Sequence, residues 1–392
     1  MMPPQAAEVV VIGSGPGGLG TAALLTRRGL DVVVLEREQR IAPKWRSGYD
    51  RLRINTSSWF SYLPGQRFPR ELGRWPRRDE LVAYYDDYAA GNRLRIRTGV
   101  EAKRIEPIDG VAATNGWVIE TSNESIEARA VVVATGKQDK PVIPNWPGLE
   151  SFAGELIHSA AYRKAGPYRG RRALVVGAGN SGMDIALDLV EGGAELVWVS
   201  VHRPPHIMRR EVLGLPHDLF GVLSRRSPQR MADSSAKLLR RLTIGDLSEY
   251  GLPMPDDGPV ARLEKDGKVP TVDPGEFVAS VKARRIAIVS AVATFERDAV
   301  LLSDGERIPA QVVVSATGYR PTLEPLVGHL GLLDEHGLPR VHGSNTHPSA
   351  PTIHFIGFVD PRSGLLRELR LEAKEVSRAL ARKLARAHMV RP

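Results

Sequence analysis

Two stretches of the chain carry the same device: VVVIGSGPGGLG at residues 9–20 and LVVGAGNSGMD at residues 174–184. Each is an apolar run, a G-x-G-x-x-G turn and the opening of a helix-like pattern. No other feature constrains the backbone as tightly. The first glycine allows a sharp turn, the second lets the backbone approach a pyrophosphate, and the third lets helix pack closely on strand. Those roles fall to Gly13, Gly15 and Gly18, and again to Gly177, Gly179 and Gly182. Pro16 and Gly17 complete the first turn, while Asn180 and Ser181 bring polar groups to the second. An anion would sit at each helix N-terminus, where free N–H groups and the helix dipole favour negative charge. Two such turns about 160 residues apart predict an α/β chain with two Rossmann-like dinucleotide-binding domains.

The strands that follow the two turns end differently. The first ends at Glu36, 23 residues after Gly13, the place of an acid that binds adenosine ribose hydroxyls; Arg37 follows it. The second ends in WVSVHR, which puts Ser200, His202 and Arg203 where an NAD site would carry Asp or Glu. A carboxylate there would repel a 2′-phosphate, whereas Arg binds one with two hydrogen bonds. Arg209 and Arg210 add positive charge nearby. The second site should therefore prefer NADPH, and a flavin on the first turn is its natural redox partner. On this reading residues 1–150 and 311–392 form an FAD-binding domain. Residues 151–310 form an inserted NADPH domain, with a helical insertion at about 206–270.

There is no cysteine in the 392 residues. Disulfides, thiolate metal sites and electron transfer through a C-x-x-C pair are excluded. Electrons from a reduced flavin are left with molecular oxygen, a quinone-like carrier or a small organic substrate.

FAGELIHSAAY, at residues 152–162, fits F-x-G-x-x-x-H-x-x-x-Y and lies just before the second glycine turn. It resembles the fingerprint of class B flavoprotein monooxygenases. YDRLRINTSSWF, VVVATGKQDKPVIPNWPG, LVVGAGNSGMDIALDL, HIMRREVLG, KVPTVDPGEF, VVVSATGYRP and HFIGFVDPRSGLL further resemble YUCCA-type flavin monooxygenases and their bacterial relatives. The resemblance implies an NADPH- and O2-dependent FAD monooxygenase working through a C4a-(hydro)peroxyflavin. Its reaction would be N- or S-oxygenation, or oxidative attack on a ketone or 2-oxo acid. An oxidase or reductase that oxygenates nothing is the alternative.

The same resemblance implies roles for single residues. His158 would couple the domains and position the nicotinamide nucleotide. Ala134, Thr135 and Gly136, with Ala316–Gly318, would mark the crossings between domains. Trp45 would lie against the FAD, the Ala102 backbone against its adenine, and Gly357 and Phe358 near the flavin. One departure stands out. YUCCA-type sequences follow Y-D-x-L with a histidine-containing L-H-L-P stretch, and this chain has RINTS. Asn55 there resembles the asparagine of animal and microbial N- and S-oxygenating enzymes, expected to hold the flavin adduct and the nicotinamide.

Ten of the 23 aromatics lie between Trp45 and Tyr88. For Trp59 and Phe60 a flavin-facing pocket stays open, while Tyr84, Tyr85 and Tyr88 read as core. Net charge is +9, and nine Lys/Arg against three Glu in residues 361–392 place +6 of it there. Ala373, Val376, Leu380, Leu384 and Ala387 recur at helical spacing in that segment, an amphipathic surface helix. No nucleic-acid motif accompanies the charge. The longest uncharged stretch, residues 9–26, holds five glycines and a proline and so is no membrane span. A small-molecule substrate and O2 are the expected partners, without nucleic acid, membrane or metal, and homo-oligomerisation stays open. MMPPQAAE has no basic region followed by an apolar core, and a cytoplasmic enzyme is expected.

Overall fold

The computed structural model describes residues 5–108 and 115–389. The chain divides into two compact units. Met1–Ser47, Ser58–Lys140 and Tyr319–Pro392 form the first, and Gly48–Ser57 with Pro141–Gly318 form the second.

In the first unit the strand Gln5–Ile12 lies between parallel neighbours, Val32–Glu36 on one side and Ser125–Val133 on the other. Ile96–Thr98 extends the sheet beyond Val32–Glu36, and Ile353–Phe355 pairs in parallel with the end of Ser125–Val133. The start of Ser125–Val133 turns instead to an antiparallel meander with Trp117–Thr121 and Ala102–Pro107. Parallel strands covered on both faces read as unbroken apolar runs. Every residue of VVVLE is indeed buried, its terminal carboxylate included. The helix Pro16–Thr26 begins inside the glycine turn and packs on the long helix Leu365–Met389. A Cβ on Gly17 would lie 3.1 Å from Leu369 Cδ2, so the missing side chain sets how closely the two helices approach. Ala373, Val376, Leu380 and Leu384 form the buried stripe of the last helix. The side chain of Ala387 lies outside the described residues.

The second unit is built on a parallel sheet in the order Ala287–Val289, Leu196–Ser200, Arg172–Val176, Val312–Ser315, Glu155–His158. Its side chains alternate between the two faces, as strand geometry requires. Ala173, Val175, Val312 and Val314 join the cluster that includes Met183, Ile185 and Leu187 of the helix Asn180–Glu191. Leu174, Val176 and Val313 face the antiparallel strands Val292–Phe295, Val300–Leu302 and Arg307–Ile308. The excursion at 206–270 holds the short strands Ile207–Arg209, Glu211–Val212 and Leu215–Pro216, followed by the helices His217–Leu223, Gln229–Thr243 and Pro259–Asp266.

The unit limits differ from the 150 and 310 read from the sequence. Val312–Ser315 is hydrogen-bonded to Arg172–Val176, which carries the second unit to Gly318. Trp146 and Leu149 pack with the Phe295 cluster and so belong there too. Residues 48–57, early in the chain, also join the second unit.

Candidate functional site: two dinucleotide cradles

Gly13 has φ +105°, and a Cβ there would meet the Ala134 carbonyl oxygen at 2.6 Å. A Cβ on Gly18 would lie 1.9 Å from the Gly13 carbonyl oxygen, a distance no side chain survives. Gly15 is different: a Cβ there would meet nothing within 4 Å. It caps the helix Pro16–Thr26 with no side-chain bond and no acid in the first turn. The early N–H groups have no carbonyl partner inside the helix. Behind the turn, Ser14 donates both its N–H (3.0 Å) and its hydroxyl to Glu36 Oε2, and the Glu38 N–H donates to Oε1 at 3.0 Å. Nothing in the sequence marks Ser14 as the link between turn and acid. Glu36 is 5% exposed. An ionised carboxylate accepts about four hydrogen bonds, so it keeps capacity for a ribose hydroxyl.

The second turn repeats this geometry. Gly177 has φ +109°, and a Cβ there would lie 2.7 Å from the Ala316 carbonyl oxygen; one on Gly182 would lie 1.9 Å from Gly177 O. Gly179 again has open space and caps its helix without a side-chain bond or a first-turn acid. The support behind it is new. Thr271 Oγ1 donates to Ala178 O at 3.0 Å, and the Val272 N–H donates to Asn180 Oδ1 at 2.8 Å. Asn180, expected to serve a phosphate, thus binds the strand Thr271–Asp273. Arg209 reaches Asp273 at 3.0 Å and Thr243 O at 3.2 Å, and Asp273 is fully buried, so this guanidinium anchors the same strand. Arg203 is half-exposed and bonds Asp266 at 3.2 Å. Ser181 lies in the first turn of the helix Asn180–Glu191.

Backbone register corrects which residue replaces the acid. Gly13 N–H donates to Leu35 O, and Gly177 N–H donates to Ser200 O. Ser200 therefore matches Leu35, and the counterpart of Glu36 is Val201, with His202 and Arg203 exposed just beyond. A strand end cannot be fixed to one residue from letters alone.

The remaining residues of the first unit surround its turn. Thr135 is exposed and Gly136 has φ +72°, following the buried strand Ser125–Val133. Lys137, next in line, forms an ion pair with Asp360, tying this loop to the Gly357–Phe358 turn; burial pulls the Lys137 ammonium down to about 8. The Phe358 side chain is buried against Phe355, ring centroids 6.0 Å apart. Trp45, in the short helix Pro43–Arg46, lies half-buried with its ring 6.3 Å from that of Tyr85. Gly99 and Val100 N–H groups bond Glu38 O and Glu36 O, each at 2.9 Å, bringing the chain before Ala102 alongside the acid. Arg37 is held by Asp139, which Thr322 also bonds. Burial works to raise the Asp139 carboxyl, but these bonds and the charges of Arg37 and Lys44 hold it below the usual carboxylate range. Tyr84, Tyr85 and Tyr88 are core, whereas Trp59 is exposed with the Arg74 guanidinium 4.8 Å from its ring.

The fingerprint at 152–162 resolves into physical parts within the second unit. Phe152 meets Phe295 edge-on at 5.1 Å, and a Cβ on Gly154 would lie 2.4 Å from the Phe152 ring and 2.9 Å from Gln311 O. His158 is buried. Its Nδ1 accepts from Ala160 N–H at 3.0 Å, which puts the proton on Nε2, 3.0 Å from Gly318 O. Tyr162 is fully buried and donates to Asp188 at 2.6 Å. Asn55 lies part-exposed on the segment 48–57, and among the described residues its amide has no hydrogen-bond partner.

Both turns therefore fit an adenine dinucleotide, with room at a glycine and bare helix N-termini free of first-turn acids. Residues 10–211 match the family of pyridine nucleotide-disulphide oxidoreductases. The chain is 34% identical over 363 residues to indole-3-pyruvate monooxygenase YUCCA1 of Oryza sativa subsp. japonica, covering 91% of this chain and 87% of that protein. The solved flavin-containing monooxygenase from Stenotrophomonas maltophilia is similar at TM-score 0.69 and 24% identity, over 95% of this chain and 99% of its own. Cyclohexanone monooxygenase from Rhodococcus sp. Phi1, bound to NADP+, gives TM-score 0.70 at 20% identity over 98% of this chain and 85% of its own. Those two likenesses bear on the fold.

The chain belongs to the pyridine nucleotide-disulphide oxidoreductase family and, within it, to the YUCCA-like flavin monooxygenases. It is an FAD enzyme that uses NADPH and O2 to oxygenate a small substrate, without any cysteine. No helix among the described residues is long and apolar enough to cross a membrane.

Proposed function

We propose that the first unit holds FAD and the second NADPH, and that the oxygen atom goes to a nucleophilic nitrogen or sulfur of a small organic substrate. The observation that carries the assignment of nucleotides is the pair of strand ends, buried Glu36 in one unit against Val201 in the other. FAD reduced by NADPH supplies the chemistry that activates O2. The chain's own residues bind and orient. Helix N-termini behind Gly15 and Gly179 take the pyrophosphates, and Glu36 takes ribose hydroxyls. Arg203 has five N–H donors, of which its bond to Asp266 uses one, so the rest serve a 2′-phosphate. Asn55 offers an unpartnered amide, donor and acceptor together, to the nicotinamide. Such positioning asks for little side-chain acid–base catalysis, which suits a soft amine or sulfide.

A 2-oxo acid is the second reading. The 34% identity to an indole-3-pyruvate monooxygenase favours it, and Asn55 in RINTS argues against it. A panel of tertiary amines, thioethers and aryl 2-oxo acids, scored as product per NADPH consumed, separates the two. Tight coupling with an amine or thioether supports the first reading. Coupling with 2-oxo acids alone selects the second.

A further inference from the structure

The helix Asn180–Glu191 carries Asp184, Asp188 and Glu191 at i, i+4 and i+7, a single face. All three grip side chains brought from elsewhere in the chain. Tyr49 Oη donates to Asp184 at 2.8 Å, Tyr162 Oη donates to Asp188 at 2.6 Å, and Arg51 pairs with Glu191 and with Glu276. The rings of Tyr49 and Tyr162 meet edge-on at 6.5 Å, and Asp50 N–H donates to Arg163 O at 2.8 Å. The segment 48–57 is thus laid along the acidic face of the nucleotide helix at its start.

Its far end is held from the excursion. Ser57 N–H and Ser57 Oγ both donate to Asp218 Oδ2 at 2.9 Å, and Ser57 and Asp218 are 0% and 2% exposed. Left unpaired at that depth, the Ser57 N–H alone would be destabilising by about 1–3 kcal/mol. Ile54 is buried between the two anchors, while the neighbouring Asn55 amide is left without a partner among the described residues. The backbone is fixed on both sides of a side chain that is itself unengaged, which is how a fold presents a group to a ligand. Asp218 Oδ1 and the adjacent His217 Nδ1 are buried without partners among the described residues. A buried carboxylate with one oxygen unmatched is a poor stabilising device.

We infer that Asp184 and Asp218 are positioning residues that lock Asn55 onto the nucleotide-binding unit, so that Asn55 meets its ligands together with NADPH. The inference rests on the role proposed for Asn55 above.

Two readouts on the holoenzyme test it. Amide hydrogen exchange over 48–57 measures the clamp. Asp218→Ala should speed exchange at Ser57 by about tenfold, and Asp218→Asn, which keeps an acceptor oxygen, should restore protection. Peroxide released per NADPH consumed measures delivery. Asp218→Ala should raise it about fivefold in the parent, yet by less than about 1.5-fold when Asn55 is already alanine, because both changes act on one side chain. If Asp218→Ala does not fold, Tyr49→Phe, which deletes only the hydroxyl on Asp184, carries the same expectations at smaller size. Faster exchange with unchanged coupling overturns the inference, as does an Asp218→Ala effect that persists in full beside Asn55→Ala. An Asn55→Ala enzyme as well coupled as the parent removes the reading of Asn55 beneath it, and the inference falls with it.

Discussion

Gly13 and Gly177 sit at φ +105° and +109°, and Gly18 and Gly182 would each place a Cβ 1.9 Å from the first glycine's carbonyl oxygen. Gly15 and Gly179 both open onto free space. What surrounds these matching turns is unlike. Seven, eleven and fourteen residues after the first glycine, one unit has Gly20, Leu24 and Arg27 and the other has Asp184, Asp188 and Glu191. Gly20 lets Pro64 approach, its Cβ position 3.1 Å from Pro64 Cδ, so that face of the first helix is packing. The acidic face of the second helix holds a segment that carries Asn55. Ser14 joins the first turn to Glu36, whereas Ala178 and Asn180 join the second to the strand Thr271–Asp273. The turns are alike and their neighbours are not, and the proposed choice of nucleotide rests on those neighbours.

The largest effect that could break this comparison comes from filling either turn. Gly18→Ala and Gly182→Ala should each destabilise their own unit by more than about 3 kcal/mol. The losses should be separable. Gly18→Ala should purify with little yellow chromophore, while Gly182→Ala should keep FAD and lose anaerobic bleaching by NADPH. The ratio of flavin to protein absorbance and a single NADPH addition check both, and loss of FAD from both variants would contradict independent cradles.

Arg203→Ala sharpens the second half of the comparison. Losing a charge-assisted phosphate contact of about 1.5–2 kcal/mol should raise KM for NADPH about 10–30-fold. KM for NADH should stay within about twofold on the same argument, and equal losses for both nucleotides would refute the phosphate role.

A smaller effect probes the acidic face. Burial pushes the Asp184 carboxyl up to about 6, against the Tyr49 hydrogen bond and the charges of Arg51 and Arg210. A folded value above the unfolded one means that stability is fully present below the unfolded value and is lost as pH rises through 6. Asp184→Asn keeps an acceptor for Tyr49 and removes the buried charge. It should therefore raise stability by about 1–2 kcal/mol at pH 8 and by almost nothing at pH 4. Melting temperatures of parent and variant across that range check the sign, and a constant difference would show that Asp184 does not titrate there.

Much of this is legible from letters alone because glycine turns are over-determined. A tight positive-φ corner, a close helix–strand contact and an apolar strand leave few other residue choices, so Gly13, Gly18, Gly177 and Gly182 mark the two folds directly. The charge of the last helix and its buried stripe are equally plain from spacing. The acid stripe Asp184, Asp188 and Glu191 is visible as i, i+4, i+7, but only its distant partners give it meaning. Tyr49 and Asp184 lie 135 residues apart, and Ser57 and Asp218 lie 161 apart. No local pattern encodes such pairings, which is why the segment 48–57 reads with the first fold in sequence and belongs to the second unit in space. The one-residue slip from Val201 to its neighbours has the same origin, since register is set by hydrogen bonds between strands.

The selectivity ratio of Val201→Glu tests most directly whether the strand end, and not the turn, assigns each cradle its nucleotide. An acid placed at the counterpart of Glu36 should lower the ratio of kcat/KM for NADPH to that for NADH by about 100-fold, with FAD content unchanged. A variant that keeps the parent's preference for NADPH would contradict the account.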